Sequence, residues 1–444
     1  MTSANPLSLS RLTAAMSAIG ARKLYYKLLA PNDNSKNQIY LGPGFGALNI
    51  FPTGEVQAEL DAQTGRTRFK APLNFGWLDL EGSVSPARHT QLILYPQYPE
   101  VRMSGFLLGS PRAPSALMTG RLSGRFLFVG VCDDGRTIGY VAAPGDVLAG
   151  EIATGAPGAI VGVFFELALV GKRAFDPRTV IVDALRRIHL KGWIDSKRLR
   201  QDGTIVSCES PNCGGYTLEA ELGIAPNSSP APDYAGWEVK QHGVKSFTKI
   251  DAGVLTLMTP EPTGGIYVKR GVEQFVRQFG YADRTGRADR RNVGGIYRAG
   301  RPVSRTGLTL ILAGYDAASG KITDGTKGIC LVSATNQIAA VWHYAKMMRH
   351  WNRKHALAAY VPSEKSSALP RRYRYGPQVR LGQQTDFLRF VRALASGQAY
   401  YDPGIKLEGV DSPKPRVKRR SQFRIRSRDL GMLYERFETV DLRP

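Results

Sequence analysis

Gly215-Tyr-Thr-Leu-Glu219-Ala-Glu-Leu-Gly223, a loop Ile224-Ala-Pro-Asn-Ser-Ser-Pro-Ala-Pro232, and then Asp233-Tyr-Ala-Gly-Trp-Glu238-Val-Lys240-Gln-His242 decide how this 444-residue chain is read. The first part predicts a helix over about 215–222, and Gly236–His242 predicts a strand. In a strand, residues i and i+2 share a face. Glu238 and Lys240 therefore point one way, while Trp237 and Val239 point into a core. Asp233 enters just after a Pro and can fold back beside Glu238 from an adjacent turn. Glu219 lies on the preceding helix, which can bring it to the same place if it packs on the strand.

Carboxylates of this kind suit a hard divalent cation. Mg²⁺ takes oxygen ligands and keeps several waters. A bound metal lowers the pKa of water and neutralises charge building on a phosphate, and a lysine beside it can orient or deprotonate the attacking water. Asp233, Glu238 and Lys240 follow this PD-(x)n-ExK logic of metal-dependent nucleases, with Mg²⁺ as the expected cofactor. A short P-D…E-x-K string is common by chance, and an ordinary Glu–Lys pair on a surface strand is the competing reading. The apolar strand around Trp237, the helix carrying Glu219 and the charge of the host region favour the nuclease.

That charge is uneven. The chain has 60 Lys and Arg against 37 Asp and Glu, net +23, with a pI near 10.0. Residues 1–178 hold 17 basic and 13 acidic side chains, and residues 179–444 hold 43 and 24. A basic field of this kind suits a polyanion, with nucleic acid the first candidate. At 43% hydrophobic residues the chain can bury a large core, which excludes a wholly disordered protein. No apolar run reaches the ~18 residues of a membrane span. The first residues lack the basic start and apolar core of a secretory leader. Four cysteines form no disulfide framework, and a reducing cytoplasm fits them.

Outward from the motif, Asp176-Pro177-Arg178 marks a turn and Thr179–His189 predicts an amphipathic helix. The domain boundary is placed there. Residues 1–178 predict a strand-rich accessory domain, with a helix near Leu7–Ala30 and a hairpin turn at Asp134-Gly135. Residues 179–444 mix strands (Gly253–Thr259, Gly307–Gly314, Phe423–Ile425, Glu438–Leu442) with helices (Val268–Phe279, Ile338–Arg353, Thr385–Ser396). This is an α/β (α+β) pattern. Cys208 and Cys213 are read as ordinary thiols, since zinc needs four ligands and no second pair is near. His343 and His350 are seven apart, too far for a helical zinc pair, and are read as surface or core histidines.

The G-x-T-L-E-x-x-L-G run, the Pro/Asn/Ser loop and P-D-Y-x-G-W-E-V-K-Q-H resemble the MvaI/BcnI family of type II restriction endonucleases. They also resemble MutH, a mismatch-repair nicking enzyme of the same nuclease fold. Gly192-Trp193 with Ser196-Lys197-Arg198 resembles the family's entry segment. Leu255–Thr259 with Pro262-Thr263, Trp342…Lys354, Ala359–Ser366, Phe423-Arg424-Ile425 and Leu433-Tyr434-Glu435 fall in family order. The resemblance spans about residues 180–444 and implies a restriction-endonuclease-like core. It implies that Asp233 and Glu238 bind Mg²⁺, that Lys240 positions the water, and that Glu219 is a metal ligand or supports one. It further implies a monomer that cuts double-stranded DNA one strand at a time and reads short GC-rich sites near its C-terminus. A companion DNA methyltransferase is expected for a restriction enzyme. The family's His-containing loop before the Phe-Arg-Ile strand is replaced here by Ser412-Pro-Lys-Pro-Arg416-Val-Lys418-Arg419-Arg420-Ser-Gln-Phe423, basic and without His.

Arg416, Lys418, Arg419, Arg420 and Arg424 are accordingly the candidate phosphate and base contacts. Arg291, in an arginine- and glycine-rich stretch from Arg284 to Arg305, is a further candidate, either in a clamp loop or in a segment ordered only by DNA. His242 shares the face of Lys240, and either approaches the scissile phosphate or simply ends the strand. Two competing functions stay open: a MutH-like nickase needing an activating partner, and a DNA-binding protein on a nuclease scaffold.

Overall fold

The computed structural model describes residues 7–31, 37–169, 176–226 and 232–444. The Pro/Ser/Asn loop expected before Asp233 lies largely at 227–231, outside them. The chain divides into two units, Met1–Phe175 and Asp176–Pro444. The division falls before the sequence boundary because Asp176 belongs to the helix that follows. Its carboxylate accepts from the backbone N–H of Arg178 and Thr179, and Pro177 occupies the first turn. These are the preferred N-terminal residues of a helix.

The first unit is built on two sheets. Seven strands run in the order Ile160–Val161, Phe164–Leu167, Ala21–Leu28, Phe126–Cys132, Thr137–Ala142, Phe75–Leu78, Val84–Pro86. Five more run in the order Ile39–Pro43, Glu100–Ser104, Gln91–Tyr95, Thr67–Pro72, Gln57–Leu60. Its core includes Leu12, Met16, Leu24, Tyr26, Phe128 and Ile138. The expected turn at Asp134-Gly135 joins two antiparallel strands. The expected helix over Leu7–Ala30 is half right. It spans only Leu9–Ala18, and Ala21–Leu28 is a strand between two antiparallel partners. Sheet pairing on both edges outweighs the helical propensity of Leu and Lys.

The second unit carries the motif and mixes α and β. Helix α1 (Pro177–Leu190) and helix α2 (Cys213–Glu221) precede strand β1 (Glu238–Gly243). Helix α3 (Tyr344–His355) leads into strand β2 (Leu357–Lys365), and strand β3 (Gln378–Thr385) follows. β1 lies parallel to β2, with Glu238 opposite Ala358 and Lys240 opposite Tyr360. β3 flanks β2 antiparallel, and Tyr434–Asp441 closes the sheet against β3. One sheet face and helices α1 and α2 share a core of Ile181, Leu185, Leu218, Trp237, Val361 and Leu381. Near α3 lies an aromatic layer in which Trp351 stacks on His355 and Phe390 at 4.1 and 4.7 Å.

Two expectations fail here. Ile338–Arg353 is not one helix. Ile338–His343 is a strand paired antiparallel with Gly328–Ser333, and α3 begins only at Tyr344. A hairpin turn with Asn336 at φ +60° leads into this strand, and the apolar run Ile338–Trp342 pairs in the sheet instead of continuing the helix. Cys208 and Cys213 are not free thiols. They form a disulfide with Cα atoms 5.7 Å apart, because the loop before α2 brings both side chains into the α1–α2 core.

Candidate active site

The turn before β1 sets the site. Tyr234 and Trp237 exchange backbone hydrogen bonds of 3.0 and 2.8 Å, with Ala235 and Gly236 at φ +49° and +85°. Two positive φ values in a two-residue loop are the hairpin geometry that glycine accepts readily. The turn carries Asp233 back along the strand, where its Oδ2 accepts the N–H of Val239 at 2.9 Å. Trp237 anchors the turn, buried in the core, with its indole N–H donating to the Pro177 carbonyl at 3.0 Å.

Glu238 is 5% exposed. Its Oε1 accepts from Lys240 Nζ at 3.0 Å, and Lys354 Nζ stands 3.9 Å away. Its Oε2 is buried without a hydrogen-bond partner among the described residues. α2 packs on β1 through Gly214, where a Cβ would lie 3.1 Å from the Gln241 amide. This contact brings Glu219 over the strand. Glu219 Oε2 is also buried and unpartnered among the described residues.

The two glutamates of α2 differ instructively. Burial works against the charge on Glu221, but hydrogen bonds from Lys191 and Lys197 outweigh it and hold the carboxyl below its usual range. Glu219 has no such partners. Burial, reinforced by the charges of Asp233 and Glu238, pushes it up to about 7. Asp233 is raised too, first by burial and then by Glu238. Burial is the largest cause for both, so these carboxylates are raised by loss of water although Arg198, Lys240 and Lys354 stand near them.

The unpartnered oxygens of Glu219 and Glu238 are the test of a metal. Buried carboxylate oxygens without donors fit a divalent cation, which can compensate several at once. Asp233 and Glu238 would hold it, with Glu219 behind. Among the described residues no group of three or more His, Cys, Asp or Glu is placed to hold a metal ion. A two-carboxylate site instead leaves positions open for water and a phosphate oxygen, as Mg²⁺ prefers. A cavity of about 340 Å³ opens beside Glu219, Lys240 and Thr256.

A pH prediction follows. In the unfolded chain Glu219 titrates near the ordinary 4.5, and in the fold near 7. Between these values the native state holds the extra proton, so this group's contribution to stability falls as pH rises through that window. A cation must displace the proton. Calorimetric Ca²⁺ affinity is expected to rise with pH up to about 7, by at most about tenfold per unit. Glu219→Gln is expected to flatten the profile.

His242 is buried, lines the same cavity, and is driven down to about 4 by burial. It is a neutral ring near the strand's end, and both readings of it, an approach to the phosphate or a strand-end residue, stay open. Arg416 and Lys418 lie on a short strand of a four-stranded sheet, ordered Tyr281–Ala282, Arg290–Gly294, Gly404–Glu408, Arg416–Lys418. The two arginine-rich stretches, far apart in sequence, thus meet in one sheet. Arg416, Arg419 and Arg420 are exposed. Lys418 is exposed and pairs with Glu408 at 2.8 Å. Arg424 is partly buried and bound to Asp402 at 2.7 Å. Arg291 faces inward and donates to the Gly280 carbonyl, so neither is an open contact in this structure. Within the Arg284–Arg305 stretch, Arg290 pairs with Asp283, and Arg298 covers the Tyr400 ring at 4.8 Å.

Sequence reasoning did not give Lys354 or His350 a role. Both ride on α3 within electrostatic reach of Lys240 and Glu238. No local spacing links them to a motif more than a hundred residues earlier. Only their place in the family order offered a signal.

Comparison with known proteins completes the description. No curated protein matches the chain. Among solved structures, the complex of restriction endonuclease MvaI with its cognate DNA substrate is 16% identical. It covers 60% of this chain and 98% of that one, at a TM-score of 0.44. MvaI in the absence of DNA gives 15% identity over 61% and 99%, at a TM-score of 0.34. The model of the MvaI/BcnI restriction endonuclease family matches residues 182–434, more than half of the chain and nearly all of the second unit. The chain therefore belongs to the MvaI/BcnI restriction endonuclease family and is a restriction endonuclease.

Proposed function

We propose that the protein cleaves double-stranded DNA at specific sites by Mg²⁺-dependent phosphodiester hydrolysis, as a monomeric enzyme of the restriction and defence type. A companion methyltransferase would protect the same sites. The observation that carries the reading is the convergence of Asp233, Glu238 and Lys240 on one strand end, with a buried Glu238 oxygen left unpartnered.

In this reading the metal, when bound, supplies Lewis-acid activation of the scissile phosphate and a lowered water pKa. The chain does the rest. Asp233 and Glu238 bind the ion. Asp233 is fixed by the Val239 N–H, so its free oxygen keeps one orientation. Lys240, held at 3.0 Å by Glu238, orients the attacking water in line with a departing 3′ oxygen. Glu219, near half-protonated at neutrality, can hold a proton at the edge of the site. The exposed cations Arg416, Arg419 and Arg420 meet DNA phosphates and guanine edges.

Incubation of the full chain with supercoiled and linear plasmid, with Mg²⁺ or Ca²⁺, tests this. Discrete Mg²⁺-dependent fragments, with binding but no cleavage in Ca²⁺, are expected. Nicked circles alone would instead support a MutH-like nickase. Binding without any cleavage in Mg²⁺ would overturn autonomous hydrolysis.

A further inference from the structure

Helix α3 brings a second ammonium to the catalytic carboxylate. Lys354, on its last turn, places Nζ 3.9 Å from Glu238 Oε1. That oxygen already accepts Lys240 at 3.0 Å. At 3.9 Å the pair is too long for a hydrogen bond and contributes Coulomb attraction only. Lys354 therefore spends none of its three donors on Glu238. Its side chain is 27% exposed against 16% for Lys240, so it is the more accessible of the two. The two lysines also come from different elements, one from the strand that bears the carboxylates and one from a helix across from it. His350, four residues earlier on α3, is kept neutral by burial and then by Lys354 and Lys240. It adds no third positive charge.

We propose that Lys354 is a second active-site lysine. In the empty site it offsets the charge of Glu238. When a divalent cation takes that carboxylate, the Lys354 ammonium passes to the anionic phosphate of the DNA. The proposal rests on the hydrolytic reading above, but half of its test does not.

The variants are Lys354→Met and Lys354→Arg in the full chain, and the first probe is Ca²⁺ alone, titrated calorimetrically into protein without DNA. Removing a like charge near the ligand is expected to tighten Ca²⁺ binding about three- to tenfold in Lys354→Met. Single-turnover plasmid cleavage in saturating Mg²⁺ is expected to slow about 10- to 100-fold, with retention of duplex in Ca²⁺ changed less than about threefold. Lys354→Arg is expected to recover most of the rate. Unchanged Ca²⁺ affinity overturns the proposal. So does tighter Ca²⁺ binding with wild-type cleavage, and so does weaker Ca²⁺ binding with a lowered melting temperature, which would make Lys354 a prop for α3. Should the wild type cut no DNA, the hydrolytic reading fails, while the Ca²⁺ titration still decides whether Lys354 acts on Glu238.

Discussion

Glu238→Ala is expected to abolish DNA cleavage, by at least about a thousandfold, while leaving the protein folded and bound to DNA. The carboxylate sits where Asp233, Glu219, Lys240 and Lys354 all feel it. On the proposed reading, its removal takes one ligand from the metal, and it takes the anchor from Lys240. The fold should tolerate the loss. Asp233 and Glu219 are both held above their usual range in part by Glu238, so deleting it relieves repulsion as well as stranding Lys240. The substitution also removes negative charge from a DNA-facing site, so affinity should hold or rise. The checks are a plasmid assay beside a gel shift in the absence of metal. Wild-type cleavage by this variant would remove Glu238 from the chemistry. Loss of DNA binding together with a collapsed melting curve would mean the residue serves the fold.

Trp237→Ala is expected to destabilise the second unit by about 3–5 kcal/mol. Trp237 is almost fully buried among Ile181, Leu185 and Leu218. Deletion opens a cavity and strands the Pro177 carbonyl that its indole satisfies. A typical domain is stable by only about 5–15 kcal/mol, so the variant is expected to be marginal. The same change loosens the Tyr234–Trp237 turn and with it the placement of Asp233. Trp237→Phe keeps most of the packing and loses one hydrogen bond, about 0.5–1.5 kcal/mol. Thermal melts of the two variants give the ordering, and wild-type melting of Trp237→Ala would contradict this account of the core.

Much of the candidate site's geometry was legible because it is local. Eight positions from Asp233 to Lys240 carry the acid–acid–lysine set, and strand periodicity alone puts Glu238 and Lys240 on one face. The fold-back of Asp233 was anticipated from its place after a Pro and next to a turn, while the Ala235-Gly236 geometry that makes it came only with the structure. Lys354 was not, because its proximity depends on β1 pairing with β2, and register across such a distance leaves no spacing in the sequence. The inward turn of Arg291 was hidden for a related reason. Its strand alternates, and which half faces the core is decided by Ile405 and Leu407 on the neighbouring strand. The strand at Ile338–His343 was mistaken for helix because a buried apolar run has no period of its own.

The parallel pairing of β1 with β2 also has a meaning in time. Glu238 meets Ala358 about 120 residues further along the chain. At roughly 5–20 residues per second, synthesis of that interval occupies about 6–24 s. The strand bearing Glu238 and Lys240 leaves the ribosome long before the strand it pairs with. Throughout that interval a growing chain carries its chemistry unassembled, and the cell meets a competent nuclease only when most of the second unit has been made.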